Sequence, residues 1–453
     1  MASKLEFEHT QSVCPVCLRR IPATRQLVGN ETRLVKTCPE HGTFSTPVWR
    51  GIPGFHSWRR PKSPSAPPVM DHDVSKGCPF DCGLCPEHRQ HTCTTLVEIT
   101  WRCDLGCPVC FASAGGKVPA DPSLAELDAL LRKVRRTAGD CNLQLSGGEP
   151  AVRDDLPQIV ECAKAHGFPF VQVNSNGLRM ANEPGFAQRL ASAGVDSVFL
   201  QFDGTEDAIY SRIRGRALYE TKLRAIENLC AAGIGVVLVP TVVPGVNDHN
   251  LGEMLKLAIA HAPGVRGIHF QPVSYFGRYP KAPSDAERIT LPEVMAGLEA
   301  QGNGLVSTAD FLPPACEHEL CSFHANYLVQ EDGTLHRLSS KSNCCCTPHP
   351  AAEGAEQSRA FVRRQWAAAP ELKNQPEPED DLDRFIQRAK THILAVSGMA
   401  FQDAWTLDLE RLKGCCIHVA APDGRLIPFC AYNLTAADGR TLYRGKCHAQ
   451  ASA

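Results

Sequence analysis

Between residues 95 and 273, short apolar runs recur six times, separated by helical patterns. The runs are TLVEITW (95–101), CNLQLS (141–146), FPFVQVNS (168–175), DSVFLQFD (196–203), GVVLVPTVV (235–243) and GVRGIHFQPV (264–273). The stretches between them include SLAELDALLRKVRRTAG and ETKLRAIENLCAAG. The first opens at Ser123 with Glu126 three residues on, a capping box, and both end at glycine, a usual helix stop. Six strand–helix units in a row predict an α/β fold with a parallel sheet, either doubly wound or curved into a partial barrel. In a barrel the chemistry gathers at the C-terminal strand ends. The polar and Gly-rich segments fall there: CDLGCPVC, SGGEP, NSNG, QFDG and PGVND follow strands one to five.

The first of those segments belongs to a larger pattern, for the chain has 22 cysteines in 453 residues. No apolar stretch reaches the roughly 18–20 residues of a membrane span, and the N-terminus lacks the apolar core of a signal peptide. A cytoplasmic location is therefore expected. In that reducing compartment so many thiols point to metal or redox chemistry rather than disulfides. Cys141, Cys162 and Cys230 stand singly on apolar patterns and read as buried small hydrophobes. The others cluster. Cys103, Cys107 and Cys110 form C-x3-C-x2-C on the first strand–helix loop, and Cys78, Cys82 and Cys85 repeat that spacing upstream. A net charge of −2 gives no electrostatic case for nucleic acid or an anionic membrane.

Residues 1–50 hold CPVC at 14–17 and CPEHG at 38–42, on either side of the alternating TRLVKT. Knuckle, hairpin and second knuckle describe a rubredoxin- or zinc-ribbon-like metal knuckle. Its candidate ligands are Cys14, Cys17, Cys38 and, as a fourth, His41; sulfur spacing suits mononuclear Fe and Zn equally. Residues 51–77 form a Pro-rich connector, and 78–95 an auxiliary-cluster segment whose fourth ligand is Cys93, a neighbouring side chain or a substrate. Residues 96–275 are the barrel and 276–453 a cysteine-rich C-terminal domain. The tail's ligand pool is Cys316, Cys321, Cys344 to Cys346, Cys416 and Cys430. Adjacent cysteines rarely ligate one centre, so some of CCC and CC are expected to be bystanders. The acidic run at 374–383 reads as a solvated linker, and HVAAPDGRLIPFCAYN (418–433) as a hairpin with an Asp-Gly turn.

A [4Fe–4S] cubane is usually held by four thiolates, so a loop with three leaves one iron open to a small chelating molecule. With SGGEP after the second strand, the triad at 103–110 resembles the radical S-adenosylmethionine (SAM) superfamily, over about residues 96–275. The resemblance implies a partial (β/α)6 barrel in which the amino and carboxylate groups of SAM chelate the open iron. It implies reductive cleavage of SAM to methionine and a 5′-deoxyadenosyl radical, which abstracts hydrogen from substrate. By the same resemblance Cys103, Cys107 and Cys110 are cluster ligands, and Gly147, Gly148 and Glu149 bind the methionyl amino group. Glycines there suit a close approach of backbone to ligand. The family often places an aromatic residue before the third cysteine, near adenine; this chain has Val109 there and Phe111 just after. Asn174, Asn176, Gln201 and Asp203 stand at strand ends where ribose and carboxylate contacts are expected, though NSNG and QFDG are ordinary turn sequences too.

The order CPVC…CPEHG, GCPFDCGLCPEHRQHTC, CDLGCPVCFA, QFDGTEDAIYSRIRG, FQPVSYFGR and PFCAYN resembles one group within that superfamily. It is the group of the archaeal tetraether lipid synthase and the related enzymes that methylate a pterin precursor. Three functions follow. The first is hydrogen abstraction and C–C bond formation on a lipid chain, which predicts a long apolar tunnel. The second is C-methylation of a pterin or similar heterocycle, which predicts a compact polar pocket and a second SAM as methyl donor. The third is a non-catalytic iron–sulfur electron carrier, which SGGEP argues against. A reductant such as flavodoxin or ferredoxin, a lipid or small-molecule substrate and peripheral membrane contact belong to the same expectation.

Overall fold

The computed structural model describes residues 7–70, 72–116, 119–339, 348–370 and 380–445. Six parallel strands follow one another in sequence order across one sheet: Thr94–Thr100, Asn142–Gly147, Val171–Ser175, Ser197–Gln201, Gly235–Val239 and Val265–Pro272. Each lies within one residue of its apolar run or inside it. Pro240, with no N–H for a ladder, ends the fifth and leaves Thr241–Val242 as a separate short strand. The helix Leu124–Ala138 starts at the expected box, with Ser123 accepting from the Glu126 amide and the Glu126 carboxylate accepting from the Ser123 amide.

Period-two alternation along these strands decides what the barrel encloses. Leu143, Leu145, Val171, Val173, Val198 and Leu200 face outward and are buried under the helices, in one core with Leu131, Ile159, Val160, Leu190 and Ile226. The intervening residues Asn142, Gln144, Ser146, Asn174, Phe199 and Gln201 face a lumen.

Residues 276–453, read as a cysteine-rich C-terminal domain, return to this same sheet at both edges. Ile393–Met399 runs parallel beside the sixth strand, with Ala395 opposite Gly267 and Ser397 opposite His269, and Ser322–Val329 lies antiparallel beyond it. Ile417–Ala420 runs parallel beside the first strand, with Ile417 opposite Thr94. Leu426–Pro428 folds back on it through the Asp423–Gly424 turn, forming the expected hairpin. Cys344, Cys345, Cys346 and most of the acidic run lie outside the described residues.

The tail also covers the barrel's ends. The helix Ala351–Trp366 sits under the N-terminal strand ends, where Arg266 Nε donates to the carbonyls of Gln365 and Ala367, each at 3.1 Å. Arg363 on that helix binds Asp140 through two 3.0 Å contacts and Asn142 Oδ1 at 2.8 Å. At the mouth, Arg444 pairs with Glu98 of the first strand, both side chains nearly buried. Both ends of the lumen thus carry contacts from the tail.

The N-terminal residues form a four-stranded antiparallel meander, Phe7–Val13, Arg20–Val28, Glu31–Cys38 and Gly42–Arg50. It docks on the tail: Asp408 accepts from Thr10 Oγ1 and Arg25 Nε, both at 2.7 Å. The buried Lys36 ammonium donates to Ser12 Oγ at 2.9 Å and to the Ala404 carbonyl at 2.7 Å. Among the described residues no helix is long and apolar enough to cross a membrane.

Candidate functional site

The lumen is a cavity of about 730 Å³ lined at one end by Cys103, Cys107 and Cys110. Backbone contacts from the sixth strand's end hold the triad loop. Arg278 exchanges two bonds with Cys110 (N to O 2.9 and 3.0 Å), and its guanidinium donates to the Cys107 carbonyl at 2.9 and 3.1 Å and to the Ala114 carbonyl at 3.0 Å. None of these contacts uses a thiol, so the loop is held without engaging the sulfurs that a metal would need. Among the described residues they do not close to single-ion spacing, and a cubane, wider than one ion, needs them apart.

SGGEP lies against this loop. Gly148 N donates to the Thr100 carbonyl and Glu149 N to the Arg102 carbonyl, both at 2.8 Å. A Cβ on Gly147, whose φ is +119°, would stand 2.2 Å from the Thr100 carbonyl oxygen, and one on Gly148 2.1 Å from that of Arg102. The backbone at Thr100 and Arg102, leading into the triad loop, therefore demands glycine at both positions, and both line the cavity. Glu149 is 2 % exposed and lines the cavity. Its Oε1 accepts from Ala151 N (2.9 Å) and Ser175 Oγ (2.7 Å), and its Oε2 from Asn176 N (2.6 Å). Burial outweighs those bonds and pushes its pKa up to about 7.

The strand-end residues divide. Asn174 and Gln201 line the cavity. Asn176 lines it as well, but its amide is engaged by Asp104 Oδ1 at 2.6 Å and by the Leu178 N–H at 2.9 Å, tying the third strand's end to the triad loop. Asp203, expected to contact the cofactor, is fully buried and does not line the cavity. Its two carboxylate oxygens accept from Arg214 at 2.7 and 2.8 Å and from Thr241 N at 3.1 Å. Arg214, which sequence reasoning passed over, is the member that reaches the cavity, where its charge is felt by Cys107. Phe111 lines the mouth with Phe429, ring centroids 5.8 Å apart.

The remaining thiols sort into groups, the first of which is the set that CPVC and CPEHG predict. Cys14, Cys17, Cys38 and His41 have ligand atoms within 4.8 Å of one another. Cys17 and Cys38 sulfurs are 3.9 Å apart, and His41 Nδ1 lies 3.7 and 3.4 Å from Cys14 and Cys38. A tetrahedral ion with bonds near 2.3 Å sets its ligands about 3.8 Å apart, so this set fits a single ion. Cys38→Ala is expected to lose one metal ion per chain and lower the melting temperature, as read by elemental analysis and thermal denaturation.

Cys93, a candidate to complete the Cys78–Cys82–Cys85 set, instead meets Cys316 and Cys416, all three buried within 4.8 Å. The cause is register: Thr94 pairs with Ile417, so the residues just before each strand are neighbours, with Cys93 N donating to the Cys416 carbonyl at 2.8 Å. These thiols line the other end of the same lumen. Cys321 and Cys430 face a smaller cavity with Cys415, which was not among the expected ligands. The CC pair is thus split between two thiol groups. The loop of Cys78 and Cys82 is held by Tyr443, whose hydroxyl accepts from Cys82 N and donates to the Pro79 carbonyl, both at 2.7 Å.

Residues 97–258 match the radical SAM superfamily, and residues 7–50 match the HMPTM N-terminal zinc ribbon domain. The chain is 33% identical to the 7,8-dihydro-6-hydroxymethylpterin dimethyltransferase of Methanocaldococcus jannaschii, over 94% of this chain and 93% of that one. Partial matches are the mycofactocin maturase of Mycobacterium tuberculosis (30% identity, 39% of this chain, 44% of that one) and the mitochondrial GTP 3′,8-cyclase of Arabidopsis thaliana (27%, 41% and 47%). A triad facing the barrel lumen, the glycine-packed SGGEP and likeness along nearly the whole chain agree: this protein is an enzyme of the radical SAM superfamily, using SAM and a [4Fe–4S] cluster, and belongs with the 7,8-dihydro-6-hydroxymethylpterin dimethyltransferase.

Proposed function

We propose that the chain is a radical SAM C-methyltransferase acting on a pterin or a heterocycle close to it. The carrying observation is a set of amides in an otherwise largely apolar lumen: Asn142, Gln144, Asn174, Gln201 and Gln271 occupy inward strand positions in a cavity floored by Trp366. An alkyl chain offers such amides nothing, whereas a pterin carries donors and acceptors around its rim. The cavity's size lies within the range of small-molecule sites. SAM bound at the cluster supplies the 5′-deoxyadenosyl radical. The chain's own residues hold the triad loop through Arg278 and present Glu149 Oε2 to the methionyl ammonium.

Anaerobic incubation with reductant, 7,8-dihydro-6-hydroxymethylpterin and excess SAM as radical source and methyl donor is expected to yield a pterin heavier by a methyl group. Unchanged pterin there, with coupled chains in a parallel incubation that supplies a lipid substrate, would return the lipid-synthase reading. Glu149 adds a pH test. Its carboxyl is protonated below about 7 and anionic above. SAM affinity, measured by calorimetry on the reconstituted protein, is expected to fall as pH drops through that value, by up to about tenfold per unit. Glu149→Gln is expected to flatten the profile; a wild-type profile equally flat would remove Glu149 from the site.

A further inference from the structure

Outside the barrel, three donor side chains of different chemistry meet on the helices that follow the first and second strands. Asp128 lies on Leu124–Ala138, and Cys162 on Leu156–Ala165, whose C-terminal end is capped by His166. His166 N donates to the Cys162 carbonyl at 3.1 Å, so these two side chains share one helix face, four residues apart. Both converge on one oxygen. Asp128 Oδ1 accepts from the Cys162 thiol at 3.5 Å and lies 2.8 Å from His166 Nε2. The three ligand atoms fall within 4.8 Å of one another, and none of the three residues lines the lumen.

Packing does not account for the group. Leu127, Leu131, Ile159 and Val160 carry the core beneath these helices, whereas Asp128, Cys162 and His166 are half-buried at its edge. A cysteine nucleophile does not account for it either, because the thiol touches the carboxylate and not the imidazole base. Burial and that carboxylate push the Cys162 thiol up and keep it protonated. A divalent cation among the three donors would invert that effect. Arg132 holds the other carboxylate oxygen, Oδ2, at 2.5 Å, which leaves Oδ1 turned to the sulfur and the nitrogen.

We infer that Asp128, Cys162 and His166 form a surface site for a zinc-class divalent cation, its fourth position open to solvent. One sulfur, one nitrogen and one oxygen suit Zn²⁺ and Co²⁺ and disfavour Mg²⁺ and Ca²⁺, which take oxygen. Tetrahedral zinc spaces sulfur and oxygen about 3.6 Å apart, and nitrogen and oxygen about 3.3 Å. The first spacing is already present, and the second needs the imidazole to draw back by about 0.5 Å. The His166 side chain is 20 % exposed and that of Asp128 37 %, which gives the ion and its water a way in. Binding displaces the thiol proton to solvent. The ion would clip the helix after the triad loop to the helix after SGGEP, whatever the substrate is.

The test is the rate at which a maleimide modifies Cys162 in the cluster-loaded full chain, with and without micromolar Zn²⁺. Peptide mass spectrometry after anaerobic labelling reads each cysteine separately. Zn²⁺ is expected to slow modification of Cys162 at least about tenfold, and a chelator to restore it. Cys230, a half-buried thiol that belongs to no such group, is expected to react equally in both conditions. Asp128→Asn and His166→Ala each remove one ligand and are expected to lose the protection, with circular dichroism showing the fold retained. Modification of Cys162 unchanged by Zn²⁺, protection extending to Cys230, or protection surviving both substitutions would overturn the site.

Discussion

Cys107→Ala is expected to abolish SAM cleavage and leave the chain folded. Both halves of that result have a structural cause. The Cys107 carbonyl, not its thiol, receives the Arg278 guanidinium, and Cys110 is fixed by backbone bonds to the same arginine. Alanine therefore leaves the loop in place and removes one of only three thiolates that the loop offers. A triad reduced to two cannot hold a cubane with an open iron. Production of 5′-deoxyadenosine should fall at least about a thousandfold, more than about 4 kcal/mol of barrier, with loss of about four irons per chain. The readouts are mass spectrometry, iron analysis and circular dichroism after anaerobic reconstitution. Cys162→Ala, on an outer helix away from the lumen, serves as the control and should match wild type. Cleavage persisting in Cys107→Ala would place the SAM-binding cluster on another set of cysteines.

The barrel and its open triad were legible because their signals are local. Strand periodicity, a Ser123–Glu126 box and a C-x3-C-x2-C spacing all lie within one element or one loop. The lumen's amides were legible in principle too, since NLQLS, VQVNS and SVFLQ alternate outward aliphatics with inward polar or aromatic residues. What local signals do not carry is which edge of a sheet a distant strand joins. Ile393–Met399 and Ile417–Ala420 are near in sequence yet lie on opposite edges. That choice alone decides that Cys93 meets Cys416 and that Cys415 turns to Cys321 and Cys430. The same limit hid the glycines' reason, because Gly147 and Gly148 are crowded by a neighbouring loop rather than by their own turn. It also hid Asp203, whose partner sits on a helix eleven residues on and takes the carboxylate away from the cavity.

That ion pair supports the second large effect: Asp203→Ala is expected to destabilise the metal-free protein by about 3–5 kcal/mol. Burial by itself disfavours the charge on Arg214, yet Asp203 holds it firmly protonated. Removing the carboxylate strands a guanidinium without its counter-ion, which costs more than the pair itself is worth. The same guanidinium interacts electrostatically with Cys107, so an anionic cluster on the triad would supply a second counter-charge. The loss should accordingly shrink once the cluster is loaded, and grow again when iron is chelated away. Replacing both partners, Asp203→Leu with Arg214→Met, should cost less than the sum of the singles, because no buried charge is then unpaired. Urea unfolding of metal-free and loaded protein measures all of these. Equal destabilisation with and without the cluster would mean that Arg214 serves the fold alone, whereas a smaller loss in the loaded protein makes it the residue through which the fourth strand's end senses the triad.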